Sequence, residues 1–64
     1  MEGVVKRWLS MRGYGFIQTE DLDKDVFVHY TGLKNARDLQ EGEKVRFEIQ
    51  ETEKGPKAIE VEVL

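Results

Sequence analysis

Apolar and polar residues alternate one by one along most of this chain, which is typical of β-strands that bury one face. The alternation predicts five strands, at residues 3–9, 13–18, 25–30, 45–50 and 59–63. The first of these segments is rich in β-forming residues but alternates less regularly than the others. In the fourth, Phe47 lies between Arg46 and Glu48 and is assigned to the core. No segment shows the period of about 3.6 residues that an amphipathic helix requires, so the chain is predicted to be all-β.

Segments rich in turn-forming residues separate the predicted strands. Residues 20–24 lie between the second and third strands, and residues 53–56 lie between the fourth and fifth. The longest connection, residues 31–43, is expected to hold one short helical turn near its start, with Leu33 and Leu39 anchored in the core. Five short strands with short connections favour a small antiparallel barrel, because closure removes the exposed strand edges.

The alternation also predicts which side chains face outward. Val26 and Val28 suit the core of a sheet, so Phe27 and the neighbouring His29 point away from it. In the second strand, Ile17 suits the core, so Tyr14 and Phe16, at positions of the opposite parity, point outward. An exposed aromatic surface on two adjacent strands indicates a binding site. The predicted surface carries Tyr14, Phe16, Phe27 and His29, with Tyr30 at its margin.

The composition limits the functions that are open to the chain. A length of 64 residues suffices for one small domain, here residues 1–64, with a thin core. The absence of cysteine excludes disulfides, thiol catalysis and thiolate zinc sites, and a single histidine does not build a metal centre. No apolar segment is long enough to span a bilayer or to act as a signal peptide. The chain is thus expected to be a cytoplasmic monomer that uses no membrane, metal or cofactor.

The charges and the aromatic residues are unevenly distributed. The net charge is −3, from 10 basic and 13 acidic residues, but residues 1–37 carry six basic and five acidic side chains. Five of the six aromatic residues lie between Trp8 and Tyr30. Rings beside cations favour single-stranded nucleic acid, because unstacked bases stack on the rings while the cations contact phosphate. A duplex keeps its bases stacked and has no use for such a surface.

Two other functions fit parts of the sequence. A small barrel with an exposed aromatic face also suits docking of a peptide or another subunit. Salt separates the two kinds of binding, because phosphate contacts weaken steeply as the salt concentration rises. Catalysis is not favoured, since nearly all the carboxylates alternate with core residues or lie in turns. Residues 21–25 resemble the opening of a calcium-binding loop, but Val26 stands where that loop requires glycine.

Two segments resemble the ribonucleoprotein motifs of RNA-binding proteins. Residues 12–17, Arg-Gly-Tyr-Gly-Phe-Ile, are similar to the first motif, and residues 26–30, Val-Phe-Val-His-Tyr, are similar to the second. Their order and spacing resemble the cold-shock domain, a five-stranded barrel of the OB type, and the resemblance covers the whole chain. It implies a small non-enzymatic protein that binds single-stranded RNA and DNA with little sequence selectivity. It also implies an RNA chaperone that influences transcription or translation.

The resemblance further implies which residues contact the nucleic acid. Lys6 and Arg12 fall on basic positions of the family, and Asp25 falls on a position whose carboxylate accepts a hydrogen bond from a base. Lys54 and Lys57, around the turn before the last strand, are additional candidate contacts. The base-stacking positions of the family are occupied by Tyr14, Phe16, Phe27, His29 and Tyr30.

The first strand departs from the family pattern. Where the family usually has Lys-Trp-Phe-Asn, this chain has Lys6, Arg7, Trp8 and Leu9. Arg7 thus replaces a stacking tryptophan, and its guanidinium plane is also able to stack on a base. Trp8 is expected to contact the nucleic acid, although Trp8 and Tyr30 both suit partial burial with the polar atom hydrogen-bonded. The connection before the fourth strand is shorter than in the family and lacks its aromatic residue, which implies the loss of one stacking subsite.

Overall fold

The computed structural model describes residues 1–64, which form five β-strands and one turn of 3-10 helix. The elements are β1 (Glu2–Leu9), β2 (Tyr14–Gln18), β3 (Val26–His29), the 3-10 turn (Tyr30–Gly32), β4 (Lys44–Thr52) and β5 (Gly55–Val63). The strands close into a barrel in the order β1-β2-β3-β5-β4, in which only the β3–β5 pair is parallel. The predicted all-β, five-stranded barrel is therefore confirmed. The chain contains no helix with the length and apolar character needed to cross a bilayer.

Ten apolar side chains fill the interior of the barrel. They are Val5, Trp8, Ile17, Val26, Val28, Leu39, Val45, Phe47, Ala58 and Val61. The inward positions predicted for β2 and β3 are fully buried, and so is Phe47 of β4. Of the two anchors predicted in the long connection, Leu39 is buried, whereas Leu33 packs against the core and stays partly exposed. The alternation therefore identified the core-facing parity of three strands.

β1 contains a β-bulge at Lys6, which is skipped in the pairing with β2, so that Arg7 lies opposite Phe16. A bulge shifts the inward-facing parity of its strand by one residue. The buried side chains of β1 are accordingly Val5 and Trp8, while Lys6 and Arg7 are both exposed. This bulge explains why the alternation of the first predicted strand is irregular.

β5 contains a second bulge, at Glu60, where the strand has one residue more than the facing part of β4. The backbone φ of Glu60 is 54°, in the left-handed region. The inward positions of β5 are therefore Ala58 and Val61, which are three residues apart. The two-residue alternation predicted for a regular strand at residues 59–63 is therefore wrong across the bulge. The turn predicted at residues 53–56 is also shorter than expected, because β5 already includes the last two of these residues.

Substitution of Glu60 by valine is expected to lower the free energy of unfolding by about 1–2 kcal/mol, because a β-branched side chain is strained at a positive φ. Glu62→Val is the matched control. The two carboxylates lie 3.7 and 3.6 Å from the Nζ of Lys34, but only Glu60 has a positive φ. Urea unfolding followed by circular dichroism measures both variants. Equal losses of stability would show that the bulge does not strain a branched residue.

The segment after the 3-10 turn completes the barrel wall beside β5. The backbone N–H of Lys34 donates to the carbonyl oxygen of Val61 at 2.7 Å. The side chain of Asn35 accepts from the N–H of Val63 at 3.0 Å and donates to its carbonyl oxygen at 3.2 Å. These bonds satisfy the edge of β5 beyond its short pairing with β3. The wall of the barrel is therefore continuous beside β5, and the outer face of β2 and β3 is part of this wall.

Candidate nucleic-acid interface

The outer face of β2 and β3, together with the start of the 3-10 turn, carries five neighbouring rings, which we call the aromatic platform: Tyr14, Phe16, Phe27, His29 and Tyr30. The centroid of the Phe27 ring lies 5.7 Å from that of Tyr14 and 6.1 Å from that of Phe16. His29 lies 6.4 Å from Phe27 and 4.6 Å from Tyr30, which joins the five rings into one cluster. Tyr30 is 53% exposed, and the other four are half-buried. Their predicted outward orientation is confirmed.

Strand pairing places a cation at each end of the central rings. Arg7 of β1 lies opposite Phe16, and Phe16 lies opposite Phe27. Phe27 in turn lies opposite Lys57 of β5. Two rings are thus flanked by a guanidinium group on one side and an ammonium group on the other. This is the combination that a single-stranded nucleic acid needs for its bases and its phosphates.

Tyr30 is held at one end of the platform by Gly13. The N–H of Tyr30 donates to the carbonyl oxygen of Gly13 at 2.8 Å. A Cβ atom on residue 13 would lie 2.7 Å from Cδ1 of the Tyr30 ring, and the φ of Gly13 is 73°. Glycine is therefore required here both by the backbone conformation and by the ring that covers it. Next to Tyr30, Nδ1 of His29 lies 2.8 Å from Oγ1 of Thr31, which orients the imidazole.

Trp8, which was expected to contact the nucleic acid, lies inside the barrel and not on the platform. Its side chain is 8% exposed, and Nε1 donates to the carboxylate of Asp38. A Cβ atom on Gly15 would lie 2.9 Å from Cε3 of Trp8, which shows how closely the indole covers β2. The physical reason is the bulge at Lys6, which exchanges the inward and outward positions of the residues that follow it, so that Trp8 faces inward. The alternative of a buried ring with a satisfied N–H is the one observed.

Lys6 and Asp25, which are both predicted to contact nucleic acid, form an ion pair with each other. Nζ of Lys6 lies 3.1 Å from Oδ2 of Asp25, in an ion pair whose side chains are 55% and 37% exposed. An exposed pair of this kind contributes about 0–1 kcal/mol and exchanges readily for another partner. Both residues were predicted as contacts with nucleic acid, but their contact with each other was not predicted.

Four other predicted cations are free to contact phosphate. None of the four lies within 4.0 Å of a carboxylate oxygen, because the ion pairs of this protein involve only Lys6 and Lys34. Arg12 lies in the turn between β1 and β2, next to Gly13 and so at the Tyr30 end of the platform. The four residues are Arg7, Arg12, Lys54 and Lys57.

A groove of about 360 Å³ runs between the platform and the β4–β5 hairpin. Phe16 and Phe27 form one side of it, and the hairpin forms the other, with Thr52, Lys54, Gly55, Pro56 and Lys57. The two lysines were predicted from the sequence, whereas Thr52 and Pro56 were not. Only the parallel pairing of β3 with β5 brings this hairpin to the platform, and no local pattern reports that pairing. No group of three or more histidine or carboxylate side chains is placed to hold a metal ion.

Comparison with known proteins agrees with this geometry. A family model described as the 'Cold-shock' DNA-binding domain matches residues 1–64. A "Cold shock-like protein" of Aquifex aeolicus is 47% identical over 64 residues, covering 97% of this chain and 91% of its own length. A "Cold shock-like protein" of Thermotoga maritima is 48% identical over 66 residues, covering 100% of this chain and 98% of its own length. The structure of "drosophila Unr CSD456" matches with a TM-score of 0.81 at 22% identity, over 98% of this chain and 26% of that chain. This last match confirms the predicted barrel of the OB type.

Proposed function

This chain belongs to the 'Cold-shock' DNA-binding domain family, and from that premise we propose that it binds single-stranded RNA and DNA on the aromatic platform. Cold-shock domains bind nucleic acid and are not enzymes, in agreement with the sequence analysis. The observation that carries the proposal is the cluster of five adjoining rings with cations that have no carboxylate partner beside them.

The energetics favour a flexible single strand. Each base that stacks on an aromatic side chain contributes about 1–3 kcal/mol, and every base has a face that is able to stack. Binding is therefore strong without being strongly selective. The rings of Phe16 and Phe27 accept bases, while Lys57, at the far end of the row from Arg7, contacts the backbone. A duplex offers phosphates but no unstacked base, so only the weaker electrostatic part of the binding remains.

Binding of this kind makes the protein an RNA chaperone by mass action. A protein that binds the open strand more tightly than the hairpin shifts the equilibrium towards the open strand, by as much as the two affinities differ. No chemical step is required. The proposed setting is the cytoplasm, where a monomer would keep RNA unpaired and thereby influence transcription or translation.

The test is a titration of a fluorescein-labelled oligothymidylate of about seven nucleotides, followed by fluorescence anisotropy. A labelled oligonucleotide is preferable to tryptophan fluorescence because Trp8 is buried. If three or four cations contact phosphate, the logarithm of the association constant falls with the logarithm of the salt concentration with a slope of about −2 to −3. A duplex of the same length is the control and should bind much more weakly.

Two results would contradict the proposal. Equal binding of single strand and duplex would show that the rings do not stack bases. The absence of binding to either would leave the platform as a docking surface for protein, for which affinity changes little with salt.

The chaperone activity is measured separately, with an RNA hairpin that carries a fluorophore and a quencher at its two ends. The wild-type protein should open the hairpin, and Phe27→Ala should require a higher protein concentration to open it to the same extent.

A further inference from the structure

We propose that Arg7 makes the site selective at one nucleotide position, where guanine or cytosine binds more tightly than adenine, thymine or uracil. The inference rests on the proposed function, because it concerns a base that stacks on Phe16. It differs from general stacking in that one side chain reads the edge of a base. The proposal depends on the place of Arg7 in the fold, on its lack of a partner and on the geometry of its hydrogen-bond donors.

The bulge in β1 puts Arg7 beside the platform. Because the bulge at Lys6 shifts the pairing, Arg7 is the residue of β1 that lies directly opposite Phe16. Directly opposed residues of antiparallel strands have Cβ atoms about 4.5–5.5 Å apart. The arginine side chain is longer than a phenylalanine ring is wide, so its guanidinium group reaches the edge of a base that covers that ring.

Arg7 is also the side chain of β1 that is best placed to read this base. The ammonium group of Lys6 is engaged by Asp25 at 3.1 Å. Trp8 points into the core, and the side chain of Leu9 has no hydrogen-bonding atom. No carboxylate oxygen lies within 4.0 Å of the guanidinium of Arg7. On the opposite side of Phe16 lies Phe27, which has no donor either.

The guanidinium group selects among the bases by its shape. Its two parallel N–H groups match two neighbouring acceptors on one base edge. Guanine presents such a pair at O6 and N7, and an unpaired cytosine presents one at N3 and O2. Adenine places an amino donor beside each acceptor on these edges, and thymine and uracil separate their two carbonyl oxygens with an N–H. A lysine at position 7 would keep the charge but lose the paired donors.

The experiment measures the affinity of oligothymidylates of about seven nucleotides in which one thymine at a time is replaced by guanine, cytosine or adenine. At one position, guanine and cytosine are expected to bind about five- to tenfold more tightly than thymine, and adenine is not. This preference lies in the lower part of the range for a bidentate contact between a side chain and a base, because the side chain of Arg7 is exposed. In Arg7→Lys the preference should disappear while the salt dependence stays. Arg12→Lys is the matched control and should keep the preference.

The outcomes separate this inference from the proposed function. If oligothymidylate binds with a steep salt dependence but no position prefers guanine and cytosine, the reading by Arg7 is wrong and the stacking platform stands. A preference that persists in Arg7→Lys overturns the assignment to Arg7 in the same way. If no oligonucleotide binds, the proposed function fails and the inference fails with it.

Discussion

Replacement of Phe27 by alanine is expected to weaken the binding of single-stranded DNA by about five- to 150-fold, which corresponds to the 1–3 kcal/mol of a stacked base. Phe27 has the central ring of the platform, with the rings of Tyr14, Phe16 and His29 between 5.7 and 6.4 Å away. Its removal deletes one stacking surface and leaves the neighbouring rings less well supported. Anisotropy titration at constant salt measures the change.

Two further substitutions at the same position separate stacking from apolar contact. Phe27→Tyr keeps the ring and should bind nearly as well as the wild-type protein. Phe27→Leu keeps an apolar side chain of similar size but has no π face, so it should behave like the alanine variant. Because Phe27 lies on the outer face of β3, all three variants are expected to fold, which urea unfolding verifies. Wild-type affinity in Phe27→Ala would show that bases do not stack at the centre of the platform.

Replacement of Phe47 by alanine has the largest expected effect on stability, a loss of about 3–5 kcal/mol. Phe47 is 1% exposed and is the largest of the fully buried side chains. A domain of this length has a total stability of about 3–10 kcal/mol. The core contains only ten side chains, so the cavity left by the missing ring has few neighbours able to fill it. Much of the Phe47→Ala protein is therefore expected to be unfolded at room temperature.

Urea unfolding followed by circular dichroism measures this loss, and two controls define its cause. Phe47→Leu retains most of the buried volume and should lose less than about 1.5 kcal/mol. Arg46→Ala removes an exposed side chain next to Phe47 in the same strand and should change stability by less than about 0.5 kcal/mol. A wild-type unfolding midpoint in Phe47→Ala would contradict the assignment of this residue to the centre of the core.

The parts of the fold that depend on local alternation could be predicted from the sequence. The aliphatic residues Val26 and Val28 determine which face of β3 is buried, and the orientation of Phe27 and His29 follows from them. The two bulges could not be predicted, because an extra residue is defined only by the strand that faces it. The burial of Trp8 is a consequence of the first bulge, so the sequence alone left its partial burial as one of two alternatives.

The candidate site was predictable to a similar extent. Four of the five rings of the platform lie on adjacent strands of one hairpin, and Tyr30 follows directly in the chain, so parity and chain order suffice to bring them together. The contribution of the β4–β5 hairpin depends on the pairing of β3 with β5, which joins residues about thirty positions apart. The ion pair of Lys6 with Asp25 likewise links two distant positions. Such contacts are properties of the barrel as a whole and leave no signal in a local pattern.

The most direct test of base stacking on the platform is a titration of the ¹⁵N-labelled protein with oligothymidylate, followed by amide chemical shifts. The amides of Phe16, Phe27 and Lys57 are expected to move most, since these residues form the row that crosses β2, β3 and β5. Across the barrel, Glu2 lies opposite Arg46 and Arg46 lies opposite Glu62, and the amides of this row should not move. Shifts confined to this second row, or absent from the platform at saturating oligonucleotide, would contradict the assignment of the binding surface.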